Sequence, residues 1–247
     1  MGIKDWLKPA WKDGNRDKRL DAVKTLTTQK HLISVALHDD DAEIRELALE
    51  RIDVSTLWDA ELLKRIATST RPFEMRMAAV ERIEDDAVLC GIACEDDNAV
   101  VRWSAIRRME GQTELEKVAR MAIEEDIRIA AIEQLEDENV LKELCNGASS
   151  EWIQLAAVKG IQDGDFLQQV VASEKSRWVR LAAVENIDSV DVLKEIVNTE
   201  TDMFVKRAAL EKIDDVSFVA GFENDLNELV SEAAKKTHAM LTGDAPP

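Results

Sequence analysis

The sequence predicts an all-α solenoid of eight two-helix repeats, closed by a cap at each end. Three observations carry this prediction: a phrase that recurs eight times at near-constant spacing, an apolar stripe of helical period in every copy, and a composition of good helix formers. Only 9 Gly and 4 Pro occur in 247 residues, Tyr is absent, and 45% of the residues are hydrophobic against 33% charged. That balance belongs to folded soluble chains, not to disordered or membrane-spanning ones.

The recurring phrase is a basic residue, Gln in one copy, followed three positions later by Ala and then by an aliphatic residue. It reads RLDAV, RELAL, RMAAV, RWSAI, RIAAI, QLAAV, RLAAV and KRAAL. Its first residues are Arg19, Arg45, Arg76, Arg102, Arg128, Gln154, Arg180 and Lys206, spaced 26, 31, 26, 26, 26, 26 and 26. With that residue as position 0, position +3 is Ala in every copy: Ala22, Ala48, Ala79, Ala105, Ala131, Ala157, Ala183 and Ala209. Apolar residues at −1, +3, +4 and +7 form one face of an amphipathic helix, helix A of each repeat.

Four residues before position 0 stand Asn15, Asp41, Pro72, Asn98, Glu124, Ser150, Ser176 and Asp202. Six of these eight are residue types whose side chains accept from the free N–H groups of a first turn, so helix A is expected to start there. Past +7, acidic and small residues such as Asp85-Asp86, Asp163-Gly164 and Asp214-Asp215 compete for backbone hydrogen bonds and end the helix. A second apolar pair then recurs at a three-residue step: Leu32 and Val35, Leu63 and Ile66, Leu89 and Ile92, Leu115 and Val118, Leu141 and Leu144, Leu167 and Val170, Leu193 and Ile196, Val219 and Phe222. This is a short helix B.

Helices this short are marginal alone in water, so each has to bury its apolar face on neighbouring repeats. The Ala at +3 carries nothing beyond Cβ and lets helix A lie close to those neighbours. The expected boundaries are an N-terminal cap over 1–14 with Ile3, Trp6, Leu7 and Trp11, the repeats over 15–223, and a C-terminal helix and tail over 224–247. In the last segment Leu226, Leu229, Val230, Ala233 and Met240 form a helical pattern ending at Gly243. One domain is expected to fill the chain.

The run of capping residue, aliphatic, Arg, AAV and an Asp-rich turn resembles the HEAT-like family of armadillo-type superhelices. The 26-residue unit looks like the short bacterial variety and covers nearly the whole chain. The resemblance implies that the repeat arginine pairs with acids of adjacent units, and Asp53, Asp85, Asp137, Asp163, Asp188 and Asp215 stand in the turns where such partners are needed. Gln154 interrupts that series. Independently, at about 100° per residue position 0 projects toward the buried arc, where a cation needs acceptors. A structural role is therefore expected for Arg19, Arg45, Arg76, Arg102, Arg128, Arg180 and Lys206.

No apparatus for catalysis is visible. Cys90 and Cys94 share one helical face, but two thiols fall short of the four ligands of a structural zinc site. His31, His38 and His238 accompany no nucleophile motif, no Gly-rich phosphate loop occurs, and the acidic pairs recur as turn formers. No catalytic residue, metal or cofactor is expected. The net charge of −18 repels phosphate backbones, which disfavours nucleic acid as a partner. Residues 1–30 run the other way, with eight Lys/Arg against four Asp/Glu. Pro9 interrupts any helix there, so a cap is expected over membrane contact. The absence of a continuous apolar stretch and the odd count of three cysteines point to the cytoplasm.

Two features are candidates for holding a partner. Trp152, Trp178 and Phe204 occupy position −2 in three successive copies, pointing away from the buried arc with Ala156, Ala182 and Ala208 one turn later. They form either an exposed stripe or, the commoner outcome for such rings, contacts between repeats or over the preceding turn. The second feature is the 31-residue unit, whose five extra residues fall within DVSTLWDAE and carry Trp58. Such insertions emerge as loops, on a binding face or through neutral drift.

The function these observations favour is a non-catalytic scaffold for protein–protein interaction, a monomer with an extended acidic surface. The resemblance places its groove along helix B, where Lys64, Glu116, Lys142, Gln168 and Lys194 suggest a polar protein or peptide partner. The other classes are a HEAT-like enzyme, a tetrapyrrole lyase or an excisor of damaged DNA bases, and a module that self-assembles end to end.

Overall fold

The computed structural model describes residues 9–173 and 175–243. Among these residues there is no strand, and α-helices alternate with short turns in two compact units, 1–118 and 119–247. The first unit holds α1 (Arg16–Thr25), α2 (Gln29–His38), α3 (Ala42–Glu50), α4 (Ala60–Ala67), α5 (Phe73–Val80), α6 (Asp86–Glu95) and α7 (Ala99–Arg108). The division falls within α8 (Gln112–Met121). The second unit continues with α9 (Glu125–Ile132), α10 (Glu138–Gly147), α11 (Glu151–Lys159), α12 (Gly164–Val171), α13 (Arg177–Asn186), α14 (Val190–Thr199), α15 (Met203–Glu211), α16 (Val216–Ala220) and α17 (Glu228–Thr242).

Odd-numbered helices up to α15 are the A helices and even-numbered ones the B helices. Within each unit B helices pack on the A helix after them, as α2 on α3 and α12 on α13, and the last, α16, packs on α17. Successive A helices also pack on each other, α5 on α7 and α11 on α13 on α15. This is the stacking of an α-solenoid.

Local chemistry sets the starts. Each of the eight residues at position −4 immediately precedes the first residue of an A helix. Asn15, Asp41, Asn98, Ser176 and Asp202 accept backbone N–H groups of the first turn through their side chains, whereas Pro72 and Ser150 stand at the same place without such a bond. Asp59, Asp85, Asp137, Asp163, Ser189 and Asp215 cap B helices in the same way.

The Ala at +3 is wholly buried from Ala48 to Ala209 and half-buried only at Ala22. The helix-B pairs are buried too, with one exception. The last B helix stops at Ala220, so Phe222 is half-buried and its ring lies 5.2 Å from that of Phe218.

Position 0 bridges consecutive turns, with acids other than those the resemblance implied. Arg19 donates from Nη1 to the carbonyl of Asp13 at 3.1 Å and from Nε to the carboxylate of Asp39 at 2.9 Å. Arg76 meets the carboxylates of Asp96, at 2.9 Å from Nε, and of Asp97. Arg180 binds Glu200 at 3.0 Å and approaches Asp202 at 3.5 Å. The next arginine uses the same acid's backbone: Arg45 donates to the Asp39 carbonyl at 2.7 Å and Arg102 to the Asp96 carbonyl at 2.6 Å. Gln154 keeps this bond, donating to Ala148 O at 2.6 Å. Arg128 is half-buried in α9 with its Nε out of solvent, and the Lys206 ammonium stands 5.7 Å over the Phe222 ring.

Side-chain direction explains the correction. In a helix the Cα–Cβ bonds tilt toward the N-terminus, so an arginine in the first turn of helix A reaches back to the turns that precede A helices. Asp53, Asp85, Asp137, Asp163 and Asp215 lie in the turns after helix A, where each caps the helical segment next in the chain.

The caps differ in part from expectation. Trp11 stacks on His31 with ring centroids 4.8 Å apart, while Ile3, Trp6 and Leu7 lie outside the described residues. At the other end α17 buries Val230, Ala233, Ala234 and Thr237 and closes at Gly243, whose φ of +80° is the left-handed conformation glycine adopts without strain. Leu226 falls in the turn before α17 and is fully exposed, and Met240 also faces solvent, so neither belongs to the cap's buried face. No helix among the described residues is long and apolar enough to cross a membrane.

Candidate interaction surface

In the second unit, Trp152, Trp178 and Phe204 are each the second residue of an A helix, on α11, α13 and α15. Their exposures are 62%, 63% and 39%, so of the two arrangements open from sequence the structure has the exposed one. One turn on, Ala156 and Ala182 are buried and Ala208 is half-buried, leaving low ground beside each ring. The Arg177 guanidinium lies 4.4 Å over the Phe204 ring while its Nε donates to Asp202 at 2.7 Å, which fixes Phe204 and accounts for its lower exposure. The same position holds Asp17, Glu43, Glu74, Val100 and Asp126 in the other copies, and all five are exposed. A helix A thus needs no ring there.

Trp58 lies in the first unit. It is 75% exposed, with the Arg82 guanidinium 4.7 Å over its ring. The inserted residues around it are anchored: Val54 and Leu57 are buried, and Leu57 O accepts from Arg82 Nε at 3.2 Å. The insertion is a tucked segment that presents one tryptophan.

Helix B offers less free surface than its sequence suggests. Lys142 Nζ binds the Asp163 carboxylate at 2.6 Å, and Lys194 Nζ binds Asp215 at 2.6 Å. Each aspartate also caps the next B helix, so one carboxylate serves two repeats. These bonds hold the carboxyls of Asp163 and Asp215 below the ordinary carboxylate range and raise their lysine partners. Gln168 is likewise used, donating to Glu195 at 2.9 Å, whereas Lys64 is exposed. The cause is reach: a four-carbon stem on one B helix spans to the cap of the next.

Two clefts open between B helices. One of about 630 Å3 lies between α4 and α6, lined by the small residues Ala67, Ala87 and Gly91 and by Arg76. Another of about 520 Å3 lies between α12 and α14, lined by Gln168, Ser173, Lys175, Arg180, Thr199 and Glu200. Arg76 and Arg180 are both neutralised by carboxylates in place.

The thiols are poorly set for chemistry. Burial raises the free thiols of Cys90, Cys94 and Cys145, and Cys94, further raised by the charge of Cys90 and a hydrogen bond with it, reaches about 11. Among the described residues no group of three or more His, Cys, Asp or Glu is placed to hold a metal ion. His238 Nδ1 contacts the Glu223 carboxylate, and His31 is covered by Trp11.

Sequence reasoning missed Met121 and Ile123, which are highly exposed at the end of α8 and in the turn after it. The available signal was their place in a polar turn, where the later copies have Ser149, Lys175 and Thr201 in line with Ile123.

No family profile matches the sequence, and no curated protein matches it. Among solved structures the chain is similar to YibA of Escherichia coli at 17% identity, covering 92% of this chain and 97% of that one with a TM-score of 0.44. An engineered protein matches at 17% identity over 99% and 98% of the two chains, with a TM-score of 0.28. A designed armadillo repeat protein matches at 16% identity over 94% and 97%, with a TM-score of 0.26. At those scores the likenesses carry no weight, and the assignment of an all-α solenoid rests on the chain's own helices and their packing.

Proposed function

We propose that the chain is a non-catalytic scaffold that holds a protein or peptide on the outward faces of α11, α13 and α15, through Trp152, Trp178 and Phe204. The observation that carries this reading is that three successive repeats expose a large ring at a position where four others carry Asp or Glu. Contiguous exposed aromatic surface is costly for a soluble protein and marks contact sites. The reading extends to a monomer of the short-repeat HEAT-like type working in the cytoplasm, where three free thiols stay reduced.

The test is affinity capture with the wild-type chain and with a W152E/W178E variant, with retained proteins identified by mass spectrometry. Proteins held by the wild type and absent from the variant support the reading; an identical set from both overturns it.

A second reading has its own observation. Leu226, Met240 and Leu241 are exposed at the C-terminal end of the second unit and favour end-on self-association. Sedimentation velocity of the wild type against L226E/M240E decides it: oligomers dispersed by the substitutions support assembly, and a monomer throughout removes it.

A further inference from the structure

We infer that the cleft between α4 and α6, in the first unit, is a binding site for a free basic α-amino acid such as arginine. The inference is independent of the ring row. It starts from a bridge that two repeats make and a third leaves unmade. Lys142 and Lys194 each bind the carboxylate 21 residues on, Asp163 and Asp215, at 2.6 Å, which ties consecutive B helices together. Lys64 and Asp85 stand at the same two places on α4 and α6, both exposed, and neither is in an ion pair among the described residues. Both clefts open where this bridge is missing: at α12 and α14 the two places hold Gln168 and Ser189, which carry no charge.

The cleft of about 630 Å3 has the size of a small-molecule site. Its charged lining is Lys64 and Arg76 against Asp85, Glu95, Asp96 and Asp97. Arg76 is matched by Asp96 and Asp97, which leaves Lys64, Asp85 and Glu95 to meet a ligand. Glu95 is the last residue of α6, exposed and without an ion pair among the described residues, at the helix end where free carbonyls disfavour a negative charge. A cation placed there is stabilised by both. Asp85, Val88, Ile92 and Glu95 follow at three- and four-residue steps down one face of α6, so two carboxylates flank an apolar stretch. The middle of that stretch is open, because a Cβ on Gly91 would meet no atom within 4 Å.

An α-amino acid carries a carboxylate and an ammonium on one carbon, and a lysine and an aspartate at bridging positions can hold the two together. The ligand carboxylate takes Lys64 and its ammonium takes Asp85. There Oδ1 already accepts from Ala87 and Val88, at 2.9 and 3.3 Å, and Oδ2 remains. The methylene stem crosses Val88, Gly91 and Ile92, and the side-chain cation ends at Glu95. Asp85 and Glu95 are about 15 Å apart along the axis at 1.5 Å per residue, and the Cα–Cβ bond of Glu95 tilts back toward Asp85, bringing the two carboxylates within the span of a long side chain. A diamine would set one ammonium against Lys64, and an aliphatic amino acid would leave Glu95 unmatched.

The experiment is calorimetric titration of the full chain with L-arginine. The comparison ligands are agmatine, which lacks only the carboxylate, and L-norleucine, which lacks the side-chain cation. L-Arginine is expected to bind saturably, and each comparison ligand on the order of tenfold or more weakly, having lost one charge-assisted contact. K64M, E95Q and G91L should each weaken arginine by a similar factor. All three positions are exposed, and G91L fills the open space while raising helix propensity, so the fold is expected to survive each change, as circular dichroism melts would show. K159M, which removes an exposed lysine from the second unit, is expected to leave binding unchanged. General attraction to the chain's negative charge gives the opposite order of ligands, since agmatine is more cationic than arginine. Agmatine binding as tightly as arginine, indifference to K64M or G91L, or no saturable binding at millimolar arginine overturns the proposal. None of these outcomes bears on capture of proteins through Trp152 and Trp178.

Discussion

Ala183 lies in the middle of α13, wholly buried, with α11 packed on one side and α15 on the other. Substitution by Leu adds three carbons where two neighbouring helices already meet. Overpacking of this kind costs about 1–3 kcal/mol, since the added atoms force the helices apart or the side chain off its rotamer. Helix propensity does not offset this, because Ala and Leu differ little. In a unit of this size about 2 kcal/mol lowers the melting temperature by roughly 6–10 °C. Thermal denaturation followed by far-UV circular dichroism measures it, with Glu185→Leu, exposed two residues on, as the control expected to stay within about 0.5 kcal/mol of wild type. An A183L protein that melts within a degree of wild type would refute the argument that a bare Cβ at +3 sets the approach of successive A helices.

The same contacts carry other consequences. Arg76→Met leaves the buried Asp96 carboxylate with the Asn98 N–H at 2.8 Å and without its cation, a loss of about 3 kcal/mol, and R76M/D96N is expected to be less unstable than R76M alone in denaturant melts. Asp163 and Asp215 have folded pKa values depressed by their lysines, so the stability they contribute is present above the ordinary carboxylate pKa of about 3.9 and lost as pH falls through the lower folded values. The melting temperature should drop below about pH 4 and drop less steeply in D163N/D215N; superimposable curves would remove these pairs from the account. Cys94, with its pKa raised to about 11, is thiolate in roughly one molecule in a thousand at pH 8, so a disulfide reagent should modify it on the order of a hundredfold more slowly than free cysteine. A rate equal to that of free cysteine would contradict its burial.

What the sequence displayed was whatever depends on near neighbours along the chain. Asn15 and Asp41 announce helix starts because an N-cap acts on backbone groups two or three residues away. The +3 alanines announce a buried face because helical period is local. The partners of Arg19 and Arg76 were not legible, since a side chain's reach between repeats depends on its tilt toward the N-terminus and on which turns lie side by side. Lys142 and Lys194 read as open surface for the same reason, their aspartates being a repeat away. The row of Trp152, Trp178 and Phe204 was half legible: the wheel gave its direction, but only the packed helices show that no neighbour covers it.

The measurement that bears most directly on the account is a paired melt and capture assay on W152E/W178E/F204E, which gives three copies the acidic residues that four others already carry. The account predicts unchanged helicity, a melting temperature within a few degrees of wild type, and loss of the captured partner. A triple variant that unfolds would show that the rings hold the repeats together and are not there to hold something else.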